Sequence, residues 1–460
     1  MSGQFLKRCK SCLAVLLLCG AAVLSPVAIA HAETIAGALT KAYSGNPQLG
    51  ADRARQRATD EQVPQAKSGW RPSVTANANV GKTWQDTSVT GSREFVPGGF
   101  QIQLSQPVFD GFRTEHATRQ AEATVQAGNQ NLLATEQQVL LDGATAYMNV
   151  IRDREIVTYR QQARKNFQAQ VRAARARFNV GEVTRTDVAQ SEAAASQAQS
   201  DEAVAIGNLQ SSVAAYVRVI GDKPGRLKFP GLSQQVPKNL RDAIAISDET
   251  NPQILAAAYN EEAAIAAIGV QKADLLPQLK FEAQYSKSAY PSSTVANAEN
   301  GTIQGTLTVP LYQGGSQYSE IRQAKQTASQ NRLLVLDARR QVRQQVVQAW
   351  SILRAATAVI TAANDAVRSN SIALDGVRQE AQVGTRTTLD VLDAQTSLVN
   401  SQIEVARARN ARIVAGYQLV AAIGRMTAAA LRLSVSLYDP SENLDRVRDK
   451  AFGSDIGPSE

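Results

Sequence analysis

The sequence predicts a mixed α/β membrane protein built from two internal repeats, with short amphipathic strands and helices of exceptional length. Three observations predict this. The segment "VGEVTRTDV" at 180–188 returns 203 residues later as "VGTRTTLDV" at 383–391, with five of nine positions identical. Each half contains one long stretch without proline, from Pro107 to Pro224 and from Pro310 to Pro440. Ahead of each stretch lie two segments in which apolar and polar residues alternate.

The first 32 residues read as a leader. Lys7, Arg8 and Lys10 precede an apolar run from Cys12 to Leu24, and Ala30-His31-Ala32 has the pattern of a cleavage site. The run is short of the ~20 residues that a spanning helix needs. Processing before Glu33 removes Cys9, Cys12 and Cys19 and lowers the net charge from +8 to +5, because three positive charges leave with the leader. The remaining chain has a single histidine, His116, and no phosphate-cradling glycine loop. No catalytic residue, metal site or cofactor is expected. The basic clusters "RAARAR" (172–177) and "ARRQVR" (338–343) alternate with Ala and Gln at helical spacing. They read as solvated helix faces, and no nucleic-acid partner is expected.

The repeat extends well beyond the nine residues. Asn46-Pro47-Gln48 matches Asn251-Pro252-Gln253, Pro107 matches Pro310, Tyr147 matches Trp350, and Ile220-Gly221 matches Ile423-Gly424. The expected layout is repeat 1 over 33–221, a Pro- and Gly-rich linker over 222–239, repeat 2 over 240–424, and a tail over 425–460. For the tail two readings stay open, a wrap around the waist of the molecule or a partly ordered extension.

Four strands are expected. Val74 to Val80, Phe100 to Leu104, Leu279 to Tyr285 and Ile303 to Val309 each place apolar residues at every second position. This is the dyad pattern of outer-membrane strands, although a half-buried soluble sheet shares it. Lipid tolerates no open sheet edge, so strands in a membrane must be pooled between chains. Two chains would give eight strands and a filled barrel; three would give twelve and a lumen.

The remainder is helical. Phe112 to Asn179 and Gly315 to Gln382 each span 68 residues, about 100 Å at ~1.5 Å per residue. The return helix from Val188 to Ile220 is about half as long, and an N-terminal helix from Thr34 to the region of Pro64 supplies the other half. Stacked end to end, the short helices match a long one. From Leu392, apolar or small positions follow at steps of four and three through Val399, Ile403, Ala406 and Ile413 to Val420, the seam of a left-handed supercoil.

The recurring segment joins two such helices. Gly181 and Gly384 suit the left-handed residue after a helix end, and Thr184-x-x-Asp187 and Thr387-x-x-Asp390 read as capping boxes that open the next helix. Asp393 has no cap role and lies one turn beyond Asp390, where the first copy has Gln190. In a threefold assembly Asp390 and Asp393 would form two stacked carboxylate rings, which attract cations.

The segment "VGTRTTLDVLDAQTSL", together with the two-copy layout, resembles the TolC family of outer-membrane channel-tunnels. The resemblance implies a homotrimer in outer-membrane lipid, with a twelve-strand transmembrane barrel continued by an α-helical coiled-coil barrel through the periplasm. It further implies a periplasmic membrane-fusion adaptor and an inner-membrane transporter of RND or ABC type as partners, in efflux or type I protein secretion. Asp390 and Asp393 match the family's constricting rings, and Arg386, Thr186 and Asp187 match polar links that latch the aperture shut. The tips at Val180, Gly181, Thr184, Val383, Gly384 and Thr387 correspond to the adaptor-docking surface. A latch tyrosine of the best-known member falls at Ala381, so one closing hydrogen bond is missing and the closed state is looser unless Glu380 or Gln382 substitutes.

The expected function is a passive exit duct, not an enzyme. A periplasmic coiled-coil adaptor and a structural coiled-coil scaffold are the alternatives. An adaptor would carry one hairpin between β-rich modules, whereas this chain carries two hairpins.

Overall fold

The computed structural model describes residues 32–89 and 91–456; apart from Ala32, the leader lies outside the described residues. The first copy runs α1 (Ile35–Gly45), α2 (Pro47–Asp60), α3 (Gln62–Lys67), β1 (Ser73–Val80), β2 (Thr83–Thr87), β3 (Gly91–Phe95), β4 (Gly98–Phe109), α4 (Arg113–Asn179) and α5 (Arg185–Ile220). The second runs α6 (Leu240–Thr250), α7 (Pro252–Lys272), β5 (Gln278–Ser292), β6 (Val295–Thr308), α8 (Ser316–Gln382) and α9 (Thr388–Ala422), and α10 (Pro440–Val447) follows in the tail. Both long helices have 67 residues.

The single N-terminal helix expected from Thr34 onward is instead three helices. It breaks where Asn46 turns extended and its side chain accepts hydrogen bonds from the Gln48 and Leu49 amides, with Pro47 in the first helical position. Asn251 and Pro252 repeat the device between α6 and α7. Each asparagine also reaches across to the end of a return helix. Asn46 Nδ2 donates to the Val219 carbonyl (3.2 Å) and Asn251 Nδ2 to that of Ala422 (2.9 Å). The caps of α2 and α7 thereby satisfy carbonyls that α5 and α9 leave open at their C-termini. Gly424, at φ +80°, leaves α9 at this joint, where a Cβ would lie 2.4 Å from the Thr250 carbonyl oxygen, so only glycine fits.

The helices form a wall one layer thick. On one side of α4 lies the rod made of α5 and α1–α3; on the other lies the rod made of α9 and α7, followed by α8. The main core is a belt at the middle of α4. Leu140, Tyr147 and Met148 meet Leu39 and Ala42 of α1, Tyr216 of α5, Tyr417 and Val420 of α9, and Met426 and Leu433 of the tail. Linker and tail close the belt. Glu33 N–H donates to the Arg226 carbonyl (2.7 Å), the Lys228 N–H returns to the Glu33 carbonyl (3.0 Å), and Gln235 Nε2 donates to Ala430 (2.9 Å). The described tail, through residue 456, packs in this belt between α1, α4 and α9 and then runs along α2.

The four expected strands form one antiparallel sheet in the order β1-β4-β5-β6. Its register carries each strand's alternation across to the next. Val74, Leu104, Ala283 and Ile303 form one row and Ala76, Ile102, Tyr285 and Gly301 another, while Thr75, Gln103, Gln284 and Thr302 fill the polar row between them. Over these rows one face is apolar and the other polar from edge to edge, and the next row on the apolar face ends in the Lys287–Glu299 pair. The sequence reading lacked β2 and β3, which pair only with each other. Their "TWQDT" and "GSREF" carry no apolar face to signal a strand.

Candidate functional site

The two hairpin tips are built alike. Gly181 (φ +78°) and Gly384 (φ +82°) take the left-handed conformation. Around them the Glu182 amide reaches back to Arg177 (2.9 Å) and the Thr385 amide to Glu380 (3.0 Å). Thr184 then accepts from the Asp187 amide (3.2 Å), and Asp187 Oδ2 accepts from the Thr184 amide (2.8 Å) and hydroxyl (2.7 Å). Thr387 and Asp390 repeat the box at 3.2, 2.9 and 2.8 Å. The return helices consequently start at Arg185 and Thr388, three residues earlier than the apolar pattern indicates.

These bonds also set the charge state of the tips. Hydrogen bonds from the Thr184 hydroxyl and amide hold the Asp187 carboxyl below the usual carboxylate range. The Thr387 amide and hydroxyl do the same for Asp390, helped by the positive field of Arg386. Asp393 follows one turn later and is exposed. Between them, Leu392 is buried with Val399 and Ile403 of α9 against Ala163 and Phe167 of α4 and Ala198 of α5. That seam fixes the rotation of α9 and leaves Asp390 and Asp393 together on a different face.

Arg386 is tied within its own tip, Nε donating to Glu380 Oε2 at 2.8 Å, rather than to Thr186 or Asp187. Asp187 is engaged by its own capping box, and Thr186 is exposed. Val180 and Val383, beside the glycines, are 72% and 76% exposed and give each tip a small apolar surface.

Sequence reasoning missed the braces inside the hairpins. In the first, Arg175 pairs with Glu192 (2.6 Å), Arg160 with Asp201 (2.9 Å) and Arg164 with Glu202. In the second, Arg378 and Gln395 stand at the places of Arg175 and Glu192, and the bond (2.6 Å) is to a neutral amide. The signal was present, since Arg175 and Glu192 are equally far from the tip in sequence.

Rods packed side by side, crowned by a sheet with one largely apolar face and ending in paired hairpin tips, make the architecture of a membrane channel-tunnel. The profile of the family described as "Outer membrane efflux protein" matches residues 38–222 and 244–425, one span on each copy. The chain is 38% identical over 448 residues to "Outer membrane efflux protein BepC" of Brucella suis biovar 1, covering 97% of each chain. It is 27% identical over 417 residues to "Outer membrane protein TolC" of Escherichia coli, covering 86% of this chain and 83% of the relative. The crystal structure of the CmeC outer membrane channel of Campylobacter jejuni superposes with a TM-score of 0.77 at 14% identity, over 90% of this chain and 89% of that one. The chain belongs to the outer membrane efflux protein family and is an outer-membrane exit duct.

Proposed function

We propose that three copies pool their sheets into a twelve-strand barrel, and their rods into one periplasmic tunnel that carries small molecules or proteins outward without chemistry of its own. The observation that carries this reading is the register of the sheet. Its apolar rows run unbroken from β1 to β6, yet both of those strands are edges. Lipid tolerates such an apolar face only when the edges are paired. A second copy's β1 beside β6 satisfies both, and an interior wide enough for a lumen favours three copies over two.

In this reading a periplasmic adaptor docks on the tips at Val180, Gly181, Thr184, Val383, Gly384 and Thr387, and an inner-membrane transporter of RND or ABC type supplies the cargo and the energy. Asp390 and Asp393 ring the periplasmic aperture. Arg386, with Thr186 and Asp187 across the neighbouring tip, latches it, and release of the Arg386–Glu380 pair frees the guanidinium to do so. The test is extraction followed by electrophoresis without boiling. A duct needs detergent and migrates as a trimer that heat dissociates. A protein that washes from membranes in salt and runs as a monomer is a soluble rod, and the proposal then fails.

A further inference from the structure

After α10 the chain climbs toward the foot of the sheet and then doubles back. Asn443 donates to Asp60 on α2 (2.7 Å), and Asp449 pairs with Lys67 at the end of α3 (2.7 Å). Arg71, two residues before β1, donates to the carbonyls of Lys450 (2.9 Å) and Asp449 (3.3 Å). Lys450 Nζ then bonds the carbonyl (2.7 Å) and side chain (2.8 Å) of Asp455, and Arg446 donates to the Ile456 carbonyl (3.1 Å). Residues 450–456 thus form a closed turn at the base of the sheet, reversed at Gly453 (φ +94°). Phe452, at its apex, is 93% exposed and Ile456 82%.

A single exposed apolar residue is ordinary on a protein surface. Here two occupy one braced turn, and the neighbourhood has the composition of a bilayer boundary. Trp70, 40% exposed, lines a cleft of roughly 570 Å³ beside the turn, in which the basic groups Lys67 and Arg119 are paired with Asp449 and Glu115. At the end of β4, Phe109 and Phe112 stack edge to face with centroids 5.2 Å apart. Aromatic rings are what the headgroup level of a bilayer selects.

We propose that this turn is a peripheral membrane anchor: Phe452 and Ile456 enter the inner leaflet of the outer membrane, while Trp70 and the Phe109–Phe112 pair lie at headgroup level and Lys67 and Lys450 keep their carboxylate partners. The anchor rests on the sheet's being membrane-embedded, and Arg71 holds the turn two residues below the start of β1. Through Asn443 and Asp60 it ties the leaflet to the helical wall, on the first copy alone.

The chain after the leader has no cysteine, so single probes can be placed freely. Phe452→Cys, Ile303→Cys on the sheet and Val180→Cys at a tip are each labelled with an environment-sensitive fluorophore. The full protein is reconstituted in phosphatidylethanolamine–phosphatidylglycerol vesicles, with or without nitroxide-bearing lipid. The expected result at 452 is a blue shift and strong quenching by headgroup-level nitroxide. At 303 quenching is strongest by mid-chain nitroxide, and at 180 there is none. Quenching at 303 without quenching at 452 overturns the anchor and leaves the embedded sheet standing; a blue shift at 452 without quenching means that protein covers the turn, and also overturns it. Loss of quenching at both positions removes the embedded sheet, and the anchor falls with it.

Discussion

Arg386 Nε lies 2.8 Å from Glu380 Oε2, so the second tip closes on itself across its own glycine turn. Both side chains are about half exposed, and an exposed ion pair holds by only ~0–1 kcal/mol. A contact that weak is exchangeable. It suits a group that trades one partner for another when the tunnel changes state.

Replacing Arg386 by Ser therefore loosens the closed aperture, while Glu380→Gln, which frees the guanidinium, tightens it. Uptake of large antibiotics by cells that express each variant in place of the native chain reads both effects. Equal uptake in both variants and the native protein removes the latch from Arg386.

Asp390 and Asp393 separate by role. Asp390→Ala takes away a charge and the acceptor of the capping box; Asp393→Asn takes away a charge alone. Both weaken block by multivalent cations in planar bilayers and raise conductance, but only the first destabilises the start of α9. The Asp390 carboxyl is held below its ordinary 3.8 in the fold. Its contribution is therefore present above that value and is lost as pH falls through the lowered one. Asp187 shares the direction and the window, so both tips stay capped at every pH above the ordinary carboxylate range. Block that is unchanged in the double variant takes both residues out of the aperture.

Gln395→Glu installs in the second hairpin the ion pair that Arg175 and Glu192 make in the first. The new carboxylate meets Arg378, whose bond to the amide is already 2.6 Å. The Arg378 bond is already charge-assisted from the donor side; a carboxylate adds the opposite charge and a second acceptor for a bidentate pair, so the hairpin stiffens and single-channel openings become rarer. An opening rate at or above the native one would show that the neutral brace does not govern movement of this hairpin.

At the joint between α9 and α7, Gly424→Ala places a methyl 2.4 Å from a backbone oxygen at a positive φ. Strain of this kind costs on the order of 1–3 kcal/mol. Asn251→Ala, which removes a cap, costs about 1 kcal/mol. The melting temperature of the detergent-solubilised protein should fall in that order. A Gly424→Ala protein as heat-stable as the native chain would contradict the close approach.

Proline spacing and dyad alternation were enough to read the long helices and the four strands of the main sheet, because both signals are local. Asn46 and Asn251 were visible as a repeated "NPQ", but their second role was not. Holding the carbonyls of Val219 and Ala422 depends on which helix end arrives there, a fact about packing. The Thr184–Asp187 and Thr387–Asp390 boxes formed as read, since a cap is a property of four consecutive residues. The resemblance named Thr186 and Asp187 as partners of Arg386, whereas the fold of one chain gives it Glu380, six residues away. The ribbon of β2 and β3 escaped because strands with no buried side carry no periodicity.

The breaks at Asn46–Pro47 and Asn251–Pro252 fall at the same level in both copies. Every second stave of the wall is therefore two timbers butted together, while α4 and α8 run through uncut. Only the uncut staves carry torque from tip to sheet through one helical backbone; in the spliced ones it must cross the hydrogen bonds that Asn46 and Asn251 make to Val219 and Ala422.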